Sequence, residues 1–147
     1  INYDAKSTTC LFYNVADCTV NMSNNEGFGL SSLESLMCGT PVISVRTGGL
    51  QDQNYDETTG KEYGASVAPK TKSLTGSQQI PYIFDCRCAD EDMLNAYLKM
   101  HNMTREEKEK LSVECAEHAR NLFKIDNYYC RHYTLPVILV VLPRIKT

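Results

Sequence analysis

Apolar residues along this chain alternate between short continuous runs and helix-spaced stripes. Ser7 to Val15 reads as a helix, with Ser7 or Thr8 as N-cap and Leu11, Phe12 and Val15 as its apolar face. Cys18 to Met22 reads as a buried strand. Leu30 to Cys38 carries Leu30, Leu33, Leu36 and Met37 on one side, which predicts a helix capped by Gly39 and stopped by Pro41. Pro41 to Val45 is a continuous β-rich run of the kind that parallel sheets bury on both faces. Gly48-Gly49 then breaks the chain.

The second half is less regular. Residues 51–64 are polar and contain glycine, so a loop is expected there. Ala65 to Ala68 reads as a short strand, Pro69 to Pro81 as a long flexible loop, and Tyr82 to Cys86 as an extended piece. Asp90 opens a helix to about Met100, with Met93, Leu94, Tyr97 and Leu98 apolar and an acidic first turn. Thr104-x-x-Glu107 is a capping box for a helix to about Phe123, whose Leu111, Cys115, Ala119 and Leu122 share one face. Ile125 to Tyr133 extends as a third helix. The apolar tail from Leu135 to Leu142 fits no single conformation. This order of elements predicts an α/β fold with a Rossmann-like parallel sheet and flanking helices.

Composition narrows the class. At 147 residues, 42% apolar and 22% charged, the chain is an ordinary globular domain or part of one. A net charge of −3 and no basic run argue against nucleic acid as a partner. The run from Leu135 to Leu142 holds Pro136 and is too short to be a transmembrane segment. The seven cysteines are odd in number and lie mostly in apolar stretches, which favours reduced, core-type thiols and a cytoplasmic protein. Cys86-Arg87-Cys88 lacks a second pair, so no metal site is expected. Asn21-Met22-Ser23 and Asn102-Met103-Thr104 read as chance matches to the glycosylation pattern. The start at Ile1, without an initiator Met, reads as abrupt, and the chain as the later part of a longer protein.

The run from Asn25 to Glu34 carries the candidate chemistry. Glu26 precedes a Gly27-Phe28-Gly29 turn, Leu30 opens a helix, and Glu34 follows eight positions after Glu26. A strand, a glycine turn and a helix start make a site for an anion, because the first N–H groups of a helix have no partner within it. An acid on each side of such a turn can grip sugar hydroxyls. Parallel sheets bind ligands at the carboxyl ends of their strands, and the Glu26 turn falls at one such end. Gly48-Gly49 reads either as a strand-terminating turn or as a loop lining the same pocket. For one isolated strand–glycine–helix unit, a loop acid at Glu26 and a solvent-facing Glu34 would be the simpler account. His101, His118 and His132 lack ligand spacing, and Lys70 and Lys72 read as solvated loop lysines.

The segments Ala16–Ser23, Glu26–Leu30 with Glu34, Cys38–Ile43 and Gly48–Leu50 together resemble the donor-binding domain of the retaining GT-B glycosyltransferases of group 1, the glycogen synthase-like family. The match is dense over residues 5–50 and looser afterwards. Lys124-Ile125-Asp126-Asn127-Tyr128 is similar to a late element of that family, with Ile125 where an aromatic is common. The resemblance implies that Glu26 is catalytic, reaching hydroxyls of the transferred sugar beside the reacting centre. It implies that Phe28, Gly29 and Leu30 offer N–H groups to the donor phosphates, with Gly27, Gly48 and Gly49 lining the donor pocket and Glu34 on the ribose. The substrates would be a nucleoside-diphosphate sugar and a glycan, lipid or protein acceptor, with retention of configuration and no cofactor or metal.

The same resemblance implies that residues 1–147 are a partial donor domain, the C-terminal part of a GT-B fold. The acceptor domain and the first donor-domain strands, with their phosphate-gripping cations, lie elsewhere. The fragment alone is then expected to be inactive, and any peripheral membrane contact belongs to the missing part. The alternative is a non-catalytic subunit that uses this fold for sugar-nucleotide binding or assembly. A dinucleotide-binding oxidoreductase is disfavoured, since Gly27-Phe28-Gly29 lacks the third glycine of the usual fingerprint.

Overall fold

The computed structural model describes residues 5–122 and 138–140. The expected third helix at 125–133, the Lys124–Tyr128 element, Cys130, His132 and most of the apolar tail lie outside those residues. Helix α1 (Ala5–Val15) leads into strand β1 (Cys18–Asn21), helix α2 (Leu30–Met37) and strand β2 (Val42–Val45). A short helix α3 (Gly49–Asn54), a small ribbon of β3 (Tyr55–Asp56) and β4 (Lys61–Glu62), and strand β5 (Gly64–Val67) follow. Then come β6 (Thr71–Ser77), β7 (Ile80–Arg87), α4 (Asp90–Asn102), α5 (Arg105–Leu122) and β8 (Ile138–Val140).

The main sheet has the order β5-β2-β1-β8. β1, β2 and β5 run parallel, with Val20 opposite Ile43 and Ile43 opposite Ala65, while β8 is antiparallel on β1. β2 and β5 are buried along their whole length, as their apolar runs predict. The core gathers Val20, Leu33, Leu36, Ile43, Met100 and Cys115 between sheet and helices. The α/β class with a helix-flanked parallel sheet is therefore as expected.

Buried hydroxyls tie the first half together in one relay. Thr19 Oγ1 donates to Ser35 Oγ (2.8 Å), Ser35 Oγ to the Thr40 carbonyl (2.8 Å), and Thr40 Oγ1 to the Tyr13 carbonyl (2.7 Å). These bonds explain how polar side chains sit in a core where an unpaired hydroxyl would cost stability. α2 ends as its sequence suggests, one residue early. Cys38 is the C-cap, and the Gly39 and Thr40 N–H groups return to Leu36 and Ser35 (both 2.9 Å), a Schellman closure. The capping box of α5 is complete: Thr104 N–H reaches Glu107 (2.7 Å) and Glu107 N–H reaches Thr104 Oγ1 (3.2 Å).

Several expectations are corrected. Leu11, Phe12 and Val15 are 64%, 55% and 69% exposed, and α1 instead buries Tyr13. The buried face is chosen by the Tyr13 contacts to Thr40 and Glu34, not by aliphatic count. On α4, Met93, Ala96 and Met100 face inward while Leu94 and Leu98 are exposed; on α5, Leu122 is exposed. Residues 51–64 are loop mainly at the turn 57–60: 51–54 close α3, where the polar Gln53 and Asn54 are interior hydrogen-bonding residues, and β3 and β4 flank the turn.

Residues 69–81 are not loop either: β6 and most of β7 form a two-stranded ribbon. It needs little buried surface, since cross-strand pairs such as Leu74 with Phe84, and Lys72 over the Phe84 ring (4.3 Å), support it. Among the described cysteines, Cys18, Cys86 and Cys115 are buried free thiols, whereas Cys10 is exposed.

Candidate functional site

The carboxyl ends of the adjacent parallel strands β1 and β2 release two loops on the same side of the sheet. The first runs from Met22 to Gly29, the second from Arg46 to Gly48, and they interlock. Thr47 Oγ1 donates to the Asn24 carbonyl (3.2 Å), and the Gly49 N–H donates to the Gly27 carbonyl (3.1 Å). The Gln53 side-chain amide donates to the Phe28 carbonyl. The ribbon joins the same corner, because the Cys86 N–H reaches the Asn24 carbonyl (2.8 Å).

This contact is close enough to dictate residue type. Gly48 has φ +48°, and a Cβ there would overlap the Glu26 carbonyl oxygen. A Cβ on Gly49 would overlap the Phe28 carbonyl oxygen. The pair ends β2, as the first reading of Gly48-Gly49 has it, and also seats the Glu26 turn.

Each sequence-selected residue has a definite place. Glu26 is half-exposed at the mouth of the turn, with Ser23 Oγ at 3.5 Å. Gly27 is open, and Phe28 is 42% exposed. Gly29 (φ 84°) precedes Leu30 and caps α2 with its carbonyl, which accepts the Ser32 and Leu33 N–H groups (both 3.1 Å). Among the described residues no side chain caps this helix start, a position where the dipole and the leading N–H groups of a helix favour an anion.

Glu34 sits one turn further on, on the α1 side, where it accepts a hydrogen bond from the Tyr13 hydroxyl (3.2 Å). Burial pushes the Glu34 carboxyl above the usual carboxylate range, and the Tyr13 bond only partly opposes this. Burial, together with the neighbouring Glu34, raises the Tyr13 hydroxyl well above its ordinary value.

The raised Glu34 carboxyl has a stability consequence. A carboxyl whose folded pKa exceeds its unfolded one favours folding at low pH, and that contribution is lost as pH rises through the folded value. Glu34→Gln removes the charge while leaving an oxygen for Tyr13. It is expected to melt above the wild type at neutral pH, with the two curves converging in acid. A Glu34→Gln melting point below wild type at neutral pH would contradict this.

The cations singled out in the sequence hold partners other than the turn. Lys70 pairs with Asp92 (3.7 Å), and Lys72 lies on Phe84. Arg46, just past β2, is held by Ser66 (3.0 Å), Glu62 (3.5 Å) and the Tyr55 ring (3.7 Å). His118 is half-buried on α5. It stacks on Tyr63 at 3.6 Å, and its Nε2 lies 2.9 Å from the Gln53 carbonyl. Desolvation pulls its pKa below the ordinary histidine value.

Gln53 is the residue that sequence reasoning missed. Its signal would have been a polar pair, Gln53-Asn54, closing a short helix straight after a double glycine. Among the described residues, no three His, Cys, Asp or Glu side chains cluster to hold a metal, and no helix is long and apolar enough to cross a membrane.

Known proteins share this region. Residues 3–72 match the family model described as glycosyl transferases group 1. The D-inositol 3-phosphate glycosyltransferase of Streptosporangium roseum is 49% identical over 49 residues, 33% of this chain and 11% of the relative. The enzyme of that description from Thermobispora bispora is 55% identical over 40 residues, 27% of this chain and 9% of the relative. The matched stretch thus covers about a tenth of the relatives' length. The ribbon β6–β7 lies almost wholly beyond residue 72.

Proposed function

We propose that this domain is the donor-binding half of a retaining GT-B glycosyltransferase, which moves a sugar from a nucleoside diphosphate to an acceptor hydroxyl. The observation that carries this reading is the interlock of Gly48-Gly49 with Glu26–Phe28 at the uncapped start of α2. It makes a glycine-walled, N–H-lined corner with a carboxylate at its mouth.

The roles follow from charge. Transfer leaves negative charge on the departing diphosphate, and N–H groups aimed at that charge stabilise it in the transition state. Phe28, Gly29 and Leu30 supply those groups, and the small side chains of Gly27, Gly48 and Gly49 let the phosphates approach the backbone. Glu26 holds hydroxyls of the transferred sugar beside the anomeric carbon. Glu34 accepts hydrogen bonds from the ribose. The acceptor hydroxyl attacks the anomeric carbon from the face the diphosphate leaves as the bond to the phosphate oxygen breaks, its proton passing to that departing oxygen, so configuration is retained and no protein nucleophile is assigned. The acceptor is a glycan, lipid or protein bound by a part of the protein outside this domain.

The test is stabilisation by the leaving group itself. UDP, GDP and ADP are titrated into the intact protein, which carries the phosphate-gripping cations that this reading places outside the domain, through the millimolar range while the melting temperature is followed. At a hundredfold excess over Kd, one of them is expected to add about 2.7 kcal/mol. That is about 5–10 °C for a domain of this size. Flat melting curves with all three would overturn the reading.

A further inference from the structure

Gln53 is 1% exposed, yet among the described residues half of its amide finds no partner: Oε1 is buried without a hydrogen bond. The other half, Nε2, donates to the Phe28 carbonyl. Methionine would fill a similar volume without an unpaired polar atom, so core packing alone does not account for an amide here. The residue is also fixed by its backbone, because the His118 ring nitrogen holds the Gln53 carbonyl at 2.9 Å.

We infer that Gln53 is a positioning residue, which orients the Phe28–Gly29 peptide so that its N–H faces an anion at the start of α2. This rests on the donor-site reading above and adds a determinant to it. Every described peptide bond is trans. In a trans peptide the carbonyl and the N–H point in opposite directions. Gln53 draws the Phe28 carbonyl toward α3, so the Gly29 N–H points away from α3. The Gly49 N–H does the same to the Gly27 carbonyl, so the Phe28 N–H also turns away. The Gly29 N–H is thereby directed to the side opposite α3, beside the start of α2, where helix N–H groups favour an anion.

Gln53 touches no ligand in this scheme. It acts through the peptide it holds, and Gly29 is packed beside it: a Cβ on Gly29 would lie 3.4 Å from Gln53 Oε1 and 2.6 Å from Leu50 Cδ2.

The experiment titrates the intact protein and two variants of it, Gln53→Met and Gln53→Glu, with inorganic pyrophosphate and with UDP, by calorimetry. Gln53→Met is expected to keep its melting temperature and bind both probes about tenfold more weakly, the effect of one lost orienting hydrogen bond. A merely structural residue would give the reverse split, a lower melting temperature with unchanged affinity. Gln53→Glu can donate only when its carboxyl is protonated. Its affinity relative to wild type at the same pH is expected to recover as pH falls, while the Gln53→Met ratio stays flat. Wild-type binding with equal affinity in Gln53→Met overturns the role of Gln53 alone. Failure of the wild type to bind either probe overturns the donor-site reading, and the role of Gln53 with it.

Discussion

Replacing Glu26 with glutamine is expected to lower sugar transfer by the intact protein at least about a hundredfold, the scale on which one preorganised polar group at a reacting centre acts. The substitution is isosteric, and Glu26 is half-exposed with one long contact, to Ser23 at 3.5 Å. Nothing in its surroundings requires the charge for folding, so stability should stay within about 0.5 kcal/mol of wild type. Activity and stability therefore separate at this residue. Turnover would be followed as nucleoside diphosphate released in the presence of acceptor, beside a melting curve of the same sample. A Glu26→Gln protein that transfers at the wild-type rate would remove Glu26 from the mechanism.

Gly48→Ala is expected to destabilise the domain strongly. Three terms act in the same direction. The backbone at Gly48 has φ +48° and ψ −135°, a region L-residues rarely enter. An added Cβ would overlap the Glu26 carbonyl oxygen, which is backbone and has no rotamer by which to move. Relieving that overlap would pull Gly49 from Gly27 and Thr47 from Asn24, two bonds that close the corner. A loss of about 3 kcal/mol follows from strain plus one or two hydrogen bonds. That is about 6–12 °C in melting temperature. Gly27→Ala is the control: a Cβ there meets nothing within 4 Å. Denaturant midpoints for the two variants that fail to differ would show that the interlock is not needed for stability.

The parts legible in the sequence were those whose signals are local. The β1–α2–β2 unit could be read because Leu33, Leu36, Val42 and Ile43 carry unmixed periodicities and Gly39 marks a helix end. The Thr104–Glu107 box could be read because both partners lie within one turn. What could not be read depends on partners far along the chain. Gln53 and Asn54 look like loop residues until β2, β5 and the Phe28 peptide surround them. The Asn54 amide then meets Val42 (2.9 Å), Ser44 (3.1 Å) and Ala65 (3.2 Å). The first strand of the ribbon was hidden because its residues are all exposed, so no burial pattern marks it, whereas Tyr82–Cys86 reads as extended and lies in β7. The candidate site divides the same way: Glu26, Glu34 and the glycines stand out by spacing, whereas the clasp between the two loops is a tertiary fact.

The hydrogen bond from Gln53 to Phe28 spans 25 residues, and that from Thr47 to Asn24 spans 23. The contact from His118 to Gln53 spans 65. Loop-closure entropy grows with the logarithm of loop length, so closing the corner costs about 0.8 kcal/mol less than closing the contact to α5. The clasp is therefore the less costly of the two closures, although both are tertiary. The contact of His118 with Gln53 braces from α5 a corner that the first half of the chain closes.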